Sequence, residues 1–125
     1  MGKLNNATVL VIDKDIFARH SLADDLASYS ATVHMARGME EAAELMRQQH
    51  FDAIVFDVNV VRDCLRELFG NPSLAGDNKP IFIMYSSLSS INRTALASPE
   101  IFRIFVKPCN TNGIVYSIHM HLNKA

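Results

Sequence analysis

The sequence has no tryptophan, and only two cysteines, four prolines and five glycines among 125 residues. The two cysteines, Cys64 and Cys109, come with no secretory signal, so they form no disulfide framework and reduced thiols are expected. So little proline and glycine excludes collagen-like and low-complexity chains. Neither sign of charge is in excess: twelve basic and thirteen acidic residues leave a net charge of −1. That total gives no sign of a strongly basic nucleic-acid binder. No apolar run is long enough to cross a bilayer. The short polar start, Met1 to Asn6, does not read as a signal peptide, and Asn6 stands where a myristoylation signal needs Ser or Thr. The expectation is a cytoplasmic protein with no membrane and no direct nucleic-acid partner. His20, His34, His50, His119 and His121 lack zinc-ligand spacing, and neither a glycine-rich phosphate loop nor a Gly-x-Ser-x-Gly turn is present. Nothing therefore supports a nucleophilic hydrolase, and the chain is not expected to be an enzyme.

What the chain does have is ordinary core material, with 49% hydrophobic and 20% charged residues. Three near-continuous apolar runs stand out: Val9 to Ile12, Ala53 to Phe56 and Ile81 to Met84. Strands buried on both faces read this way, and parallel sheets are the usual reason. Weaker strand candidates are Ala31 to Met35 and Phe102 to Val106. Between them lie helical stripes. Ala18, Leu22, Leu26 and Tyr29 share one face, with Arg19, Asp24, Asp25 and Ser28 expected outward. Met39, Ala42, Ala43 and Met46 form a second stripe, and Ile114, Val115, Ile118 and Leu122 a third. Val61 to Phe69 and Ser87 to Ala97 are shorter helix candidates, and Asn71 to Pro80 reads as a loop. The result is β-α repeated five times in one domain over residues 1–125, an α/β chain with a parallel sheet.

Open parallel sheets place their chemistry beyond the carboxyl ends of the strands. There the first strand ends in Asp13-Lys14-Asp15, the third in Asp57, the fourth in Tyr85-Ser86-Ser87 and the fifth in Lys107-Pro108. Asp15 is expected to cap the first helix. Asp13, Asp57 and Lys107 each follow an apolar strand directly, so they should meet in one charged cluster.

These segments resemble the receiver domains of bacterial response regulators. Val9-Leu10-Val11-Ile12-Asp13 with Arg19 downstream is similar to the family's opening segment, and Gly38 with Glu40, Glu41 and Ala42 to the start of its second helix. Phe51 to Asp57 resembles the phosphoacceptor strand, while Pro80 to Met84 and Val106-Lys107-Pro108 resemble the fourth and fifth strands. The resemblance spans nearly the whole chain and implies a five-stranded parallel, doubly wound, flavodoxin-like sheet of order 2-1-3-4-5. It implies that Asp57 accepts a phosphoryl group from a histidine kinase, that Lys107 stabilises the phosphoryl oxygens, and that Lys107-Pro108 is a cis peptide. It also implies an output face on the fourth helix and fifth strand, here including Ile91, Arg93, Ile101, Arg103 and Phe105, which is open to a partner protein or a homodimer.

The sequence departs from the family at its pocket. The family's second acid, a direct magnesium ligand, is replaced by Lys14, and an ammonium has three donors and no acceptor. Asp13 and Asp57 against Lys14 and Lys107 sum to zero charge, so Lys14 is expected to supply positive charge in place of the cation. Magnesium demands near-ideal oxygen coordination, so at most weak magnesium binding is expected, through Asp13, Asp57 and Asn59, and no resident cofactor. At the switch position the family's small hydroxyl is replaced by bulky Tyr85; Ser86 lies one residue late and would serve only if the strand end were shifted. The family's Met-Pro after the acceptor is Val60-Val61, and the Gly-Ala before the fifth strand is absent from Ser98-Pro99-Glu100. The expected function is a two-component signalling receiver with an atypical pocket, acting by protein contact with absent or slow phosphorylation of Asp57. The alternatives are a working phosphoacceptor despite these substitutions, or a small flavodoxin-like ligand-binding protein or enzyme.

Overall fold

The computed structural model describes residues 3–61, 65–74, 76, 79–92, 99–108 and 110–123. The elements run β1 (Thr8–Ile12), α1 (Ile16–Ser28), β2 (Thr32–Ala36), α2 (Met39–Gln48), β3 (Ala53–Phe56), α3 (Val58–Val61), α4 (Leu65–Phe69), a 3-10 turn (Pro72–Leu74), β4 (Ile81–Ser87), α5 (Leu88–Asn92), β5 (Ile101–Lys107) and α6 (Asn112–Leu122). The five strands form one sheet in the order β2-β1-β3-β4-β5, and every pairing is parallel. This is the doubly wound α/β architecture that the apolar runs require, because strands flanked by helices on both faces are buried throughout. All four β3 residues, Ala53 to Phe56, are buried.

Strand alternation sorts the core into two layers. Leu10, Ile12, Ile54, Phe56, Phe82 and Met84 face α2, α3, α4 and α5, with Ala42, Met46, Val58 and Leu68 packed against them. Phe69 bridges Phe56 and Phe82 by edge-to-face contacts, with ring centroids 6.3 and 4.9 Å apart. Val9, Val11, Ala53, Val55, Ile81 and Ile83 face the opposite side, where Leu22 and Leu26 of α1 and Ile114, Val115 and Ile118 of α6 cover them. The same alternation carries Asp13, Asp57, Tyr85 and Lys107 toward the α1–α6 side at the carboxyl edge of the sheet.

Three expectations are corrected. Arg19 is buried rather than outward, because its guanidinium Nη1 donates to the Asp13 carbonyl oxygen at 2.8 Å and so finds a partner inside. Leu122, expected on the buried stripe of α6, is 37% exposed, because that stripe ends at Ile118. The helix expected from Ser87 begins at Leu88, since β4 runs through Ser87; its further stretch to Ala97 lies beyond Asn92, and residues 93–98 are outside the described set.

Of the described residues named for the output face, Ile91, Ile101 and Phe105 pack partly into the core and Arg103 is exposed. A register shift in the β4–β5 pairing sets Phe82 opposite Ile101 but Ile83 opposite Arg103, leaving Phe102 as the extra residue. That bulge sends Ile101 into the α2–α5 layer, where Ile91 of α5 also packs, and Phe105 into the α1–α6 layer. Arg103 stays exposed, its guanidinium 4.5 Å from the Phe102 ring centroid. Arg93, Cys64 and Cys109 lie outside the described residues. Among the described residues no helix is long and apolar enough to cross a membrane.

Candidate functional site

Strands β1, β3 and β5 each end in a charged residue, and the register brings the three together. The Lys107 ammonium donates to Asp13 Oδ2 at 2.5 Å and to Asp57 Oδ2 at 2.7 Å. Asp13 and Asp57 are buried, and the Lys107 side chain is 19% exposed. An ammonium with three donors is well suited to bridge two carboxylates. Burial alone would pull its pKa down, but the hydrogen bonds and negative charges of Asp13 and Asp57 outweigh that and raise it above the ordinary lysine value. With the folded-state value raised, the stabilisation is fully present below the usual lysine pKa. It is lost only as pH climbs through the raised value, so it is intact throughout the neutral range. The Lys107–Pro108 peptide bond is cis.

The second oxygen of each carboxylate is also engaged. Asp13 Oδ1 accepts from the Asp15 backbone N–H at 3.0 Å, which turns the chain out of β1. Asp15 then caps α1, its Oδ1 accepting from Phe17 N–H at 3.1 Å. Asp57 Oδ1 accepts from Asn59 N–H at 2.9 Å, a cap on α3, and from the Ser86 hydroxyl at 3.2 Å. Ser86 Oγ accepts in turn from Val58 N–H at 2.7 Å. Arg19 supports the cluster from below by holding the Asp13 carbonyl. Arg19→Met keeps most of the packing but leaves that buried carbonyl short of a donor. It should cost about 1–3 kcal/mol in urea denaturation, whereas an Arg19 that was only a surface charge would cost almost nothing.

The structure reassigns the roles expected at Lys14 and Tyr85. Lys14 is exposed and makes no ion pair with Asp13 or Asp57; among the described residues the ammonium between the carboxylates is that of Lys107. The turn closed by Asp15 N–H on Asp13 directs residue 14 outward, where a strongly hydrated ammonium is better solvated. The cluster of Asp13, Asp57 and Lys107 therefore carries one net negative charge rather than none. Tyr85 is half-buried on the α1–α6 side, its ring centroid 5.3 Å from Lys107 Nζ. Ser86 reaches Asp57 with no shift of β4 against β3, since Phe56 still pairs with Met84.

A magnesium ion here would draw on Asp13, Asp57 and Asn59: position 14 offers no side-chain oxygen, the Asp15 carboxylate caps α1, and Asp13 and Asp57 share one ammonium. Among the described residues no group of three His, Cys, Asp or Glu side chains is placed to hold a metal.

No protein-family model matches the chain, and no curated protein sequence matches it. Solved structures do. A response regulator receiver-modulated diguanylate cyclase from Pelobacter carbinolicus is 23% identical, with 93% of this chain and 92% of that one covered at a TM-score of 0.75. A response regulator receiver domain protein from Clostridium thermocellum is 19% identical, with 94% of each chain covered at 0.76. A response regulator from Burkholderia pseudomallei, solved with a phosphorylated aspartic acid and a calcium ion, is 21% identical, with 90% of this chain and 66% of that one covered at 0.70. At these identities the likeness establishes a shared fold.

Proposed function

We propose that this chain, which has the fold of response regulator receiver domains, is a receiver module of two-component signalling that works by protein contact, with phosphoryl transfer to Asp57 absent or slow. One observation carries the reading: Lys107 bridges Asp13 and Asp57 while the position that would complete a metal site holds the outward-facing Lys14. Phosphoryl transfer depends on positioned positive charge around the transferred group. Here Lys107 is in place to provide it, but no third carboxylate recruits a divalent ion beside it. The partner on this reading is a histidine kinase or another signalling protein, and the module's work is recognition rather than turnover.

A working phosphoacceptor is the second reading. It is favoured by the Ser86 hydroxyl on Asp57 Oδ1, which supplies the small hydroxyl that Tyr85 does not. The Burkholderia neighbour carries phosphoaspartate on the same fold. Incubation with acetyl phosphate and magnesium, followed by intact-mass measurement, separates the two. The contact reading expects no phosphorylated species within minutes. A stoichiometric gain of one phosphoryl group that Asp57→Asn abolishes would establish the second reading instead.

A further inference from the structure

Beyond the ion pairs, a second set of side chains meets at Asp57. The α5 helix is five residues long, far too short to hold itself together, so its position depends on tethers. One tether is its own cap: Ser90 N–H donates to Ser87 Oγ at 3.3 Å. Another is apolar, with Ile91 packed against the α2–α5 core. A third crosses the cleft. Ser90, only 2% exposed, accepts from Asn59 Nδ2 at 2.6 Å, and its hydroxyl also lies 2.7 Å from Ser87 Oγ. Asn59 is the residue whose backbone N–H caps Asp57 Oδ1, and Ser86, next to Ser87, donates to that same oxygen. The hydrogen bonds run from Asp57 through Asn59 and Ser90 to Ser87, and the backbone from Ser87 to Ser86 leads back to Asp57. Linked hydrogen bonds of this kind support one another, so loosening one loosens its neighbours.

We propose that Ser90 is a positioning residue for Asp57, joining through Asn59 and Ser87 the two loops that flank the carboxylate, so that the state of Asp57 and the seating of α5 change together. This rests on the reading of Asp57 as the signalling residue. The coupling runs both ways, as any coupling free energy must. A change of charge at Asp57 Oδ1 alters the cap on Asn59 and the bond from Ser86, and both lead to α5. A change at Ser90 removes one hold on the Asn59 side chain and slackens the same cap from the other end.

Amide hydrogen exchange by NMR tests this in the full chain without any phosphoryl donor. Ser90→Ala should speed exchange at Asn59 N–H by roughly fivefold to tenfold. Val55 in the middle of β3 should keep its rate. A merely structural role would move both. Asn59→Ala removes the same bond from an exposed position, so it decides the matter even if Ser90→Ala fails to fold. It should speed residue 59, corrected for its intrinsic rate, by a similar factor, and the double variant should go no further. In the reverse direction, Asp57→Asn should shift the amide resonances of Ser90 and Ile91. Unchanged exchange at residue 59, additive effects of the two substitutions, or Asp57→Asn shifts that stop at Ser86 would overturn the proposal. Failure of acetyl phosphate to label Asp57 would bear on the function and leave this exchange result standing, and the reverse is equally true.

Discussion

Replacing Lys107 with Met should destabilise the protein by about 2–4 kcal/mol at neutral pH, and by much less in an Asp57→Asn background. Methionine keeps most of the stem volume, so the loss is mainly electrostatic. The ammonium lies 2.5 and 2.7 Å from two carboxylates that are themselves buried. Removing it leaves two negative charges facing each other with little water between them. Breaking such a bridge from one side costs several kcal/mol because the remaining charges stay uncompensated. The residual exposure of Lys107 argues for the lower part of that range. The dependence on background identifies the cause. In the parent protein the raised Lys107 pKa keeps the ammonium charged at neutral pH. In Lys107→Met the two carboxylates face each other without it, and Asp57→Asn removes one of those charges, so the deficit shrinks. Urea denaturation of the four proteins of this cycle at about pH 7.5 measures this. An equal deficit in the two backgrounds would mean that Lys107 contributes packing rather than charge.

The second large effect is expected at Lys14. Lys14→Asp should tighten magnesium binding by at least about tenfold, a change of roughly 1.4 kcal/mol or more. The substitution turns a positive charge into a negative one beside Asp13 and adds a carboxylate at the rim of the pocket, which raises its attraction for a divalent cation. Lys14 is exposed and unpaired with either carboxylate, so removing it disturbs no contact within the cluster. Fold stability should therefore change little while metal affinity rises. If affinity does not rise, the obstacle is the Lys107 bridge itself, and Lys107→Met in the Lys14→Asp background should then release it.

Much of the fold and of the pocket is legible in the sequence, for physical reasons. The sheet is, because strands buried on both faces leave unbroken apolar runs such as Ala53 to Phe56, and no other element does so at that length. The meeting of Asp13, Asp57 and Lys107 is, because parallel strands all bring their carboxyl ends to one edge. The cap at Asp15 is, because short acidic side chains before a helix have few other roles. The direction of Lys14 is not. Strand alternation reaches only as far as Asp13, and the path of residues 14 and 15 depends on a turn closed by a side chain, which no periodicity reports. Arg19 misleads because a helical wheel sorts by polarity and cannot know that a strand-end carbonyl waits within reach. The split of Ile101 from Phe105 depends on one bulge residue, Phe102, and a single inserted residue leaves no composition signal. The Asn59–Ser90 link joins residues 31 apart in sequence, so only the fold could reveal it.

On the proposed reading, Lys107 offsets one of the two negative charges of the Asp57 pocket internally, and the pocket lacks the donors to bring in a divalent ion. Titrating the unmodified chain with magnesium, then adding beryllofluoride, while following the amide resonances of Asp57, Val58, Ser86 and Lys107, tests it most directly. Resonances that drift without saturating through the millimolar range, and do not respond to beryllofluoride, are the expected result. Saturation near millimolar magnesium centred on Asp57, followed by a second set of shifts with beryllofluoride, would contradict it.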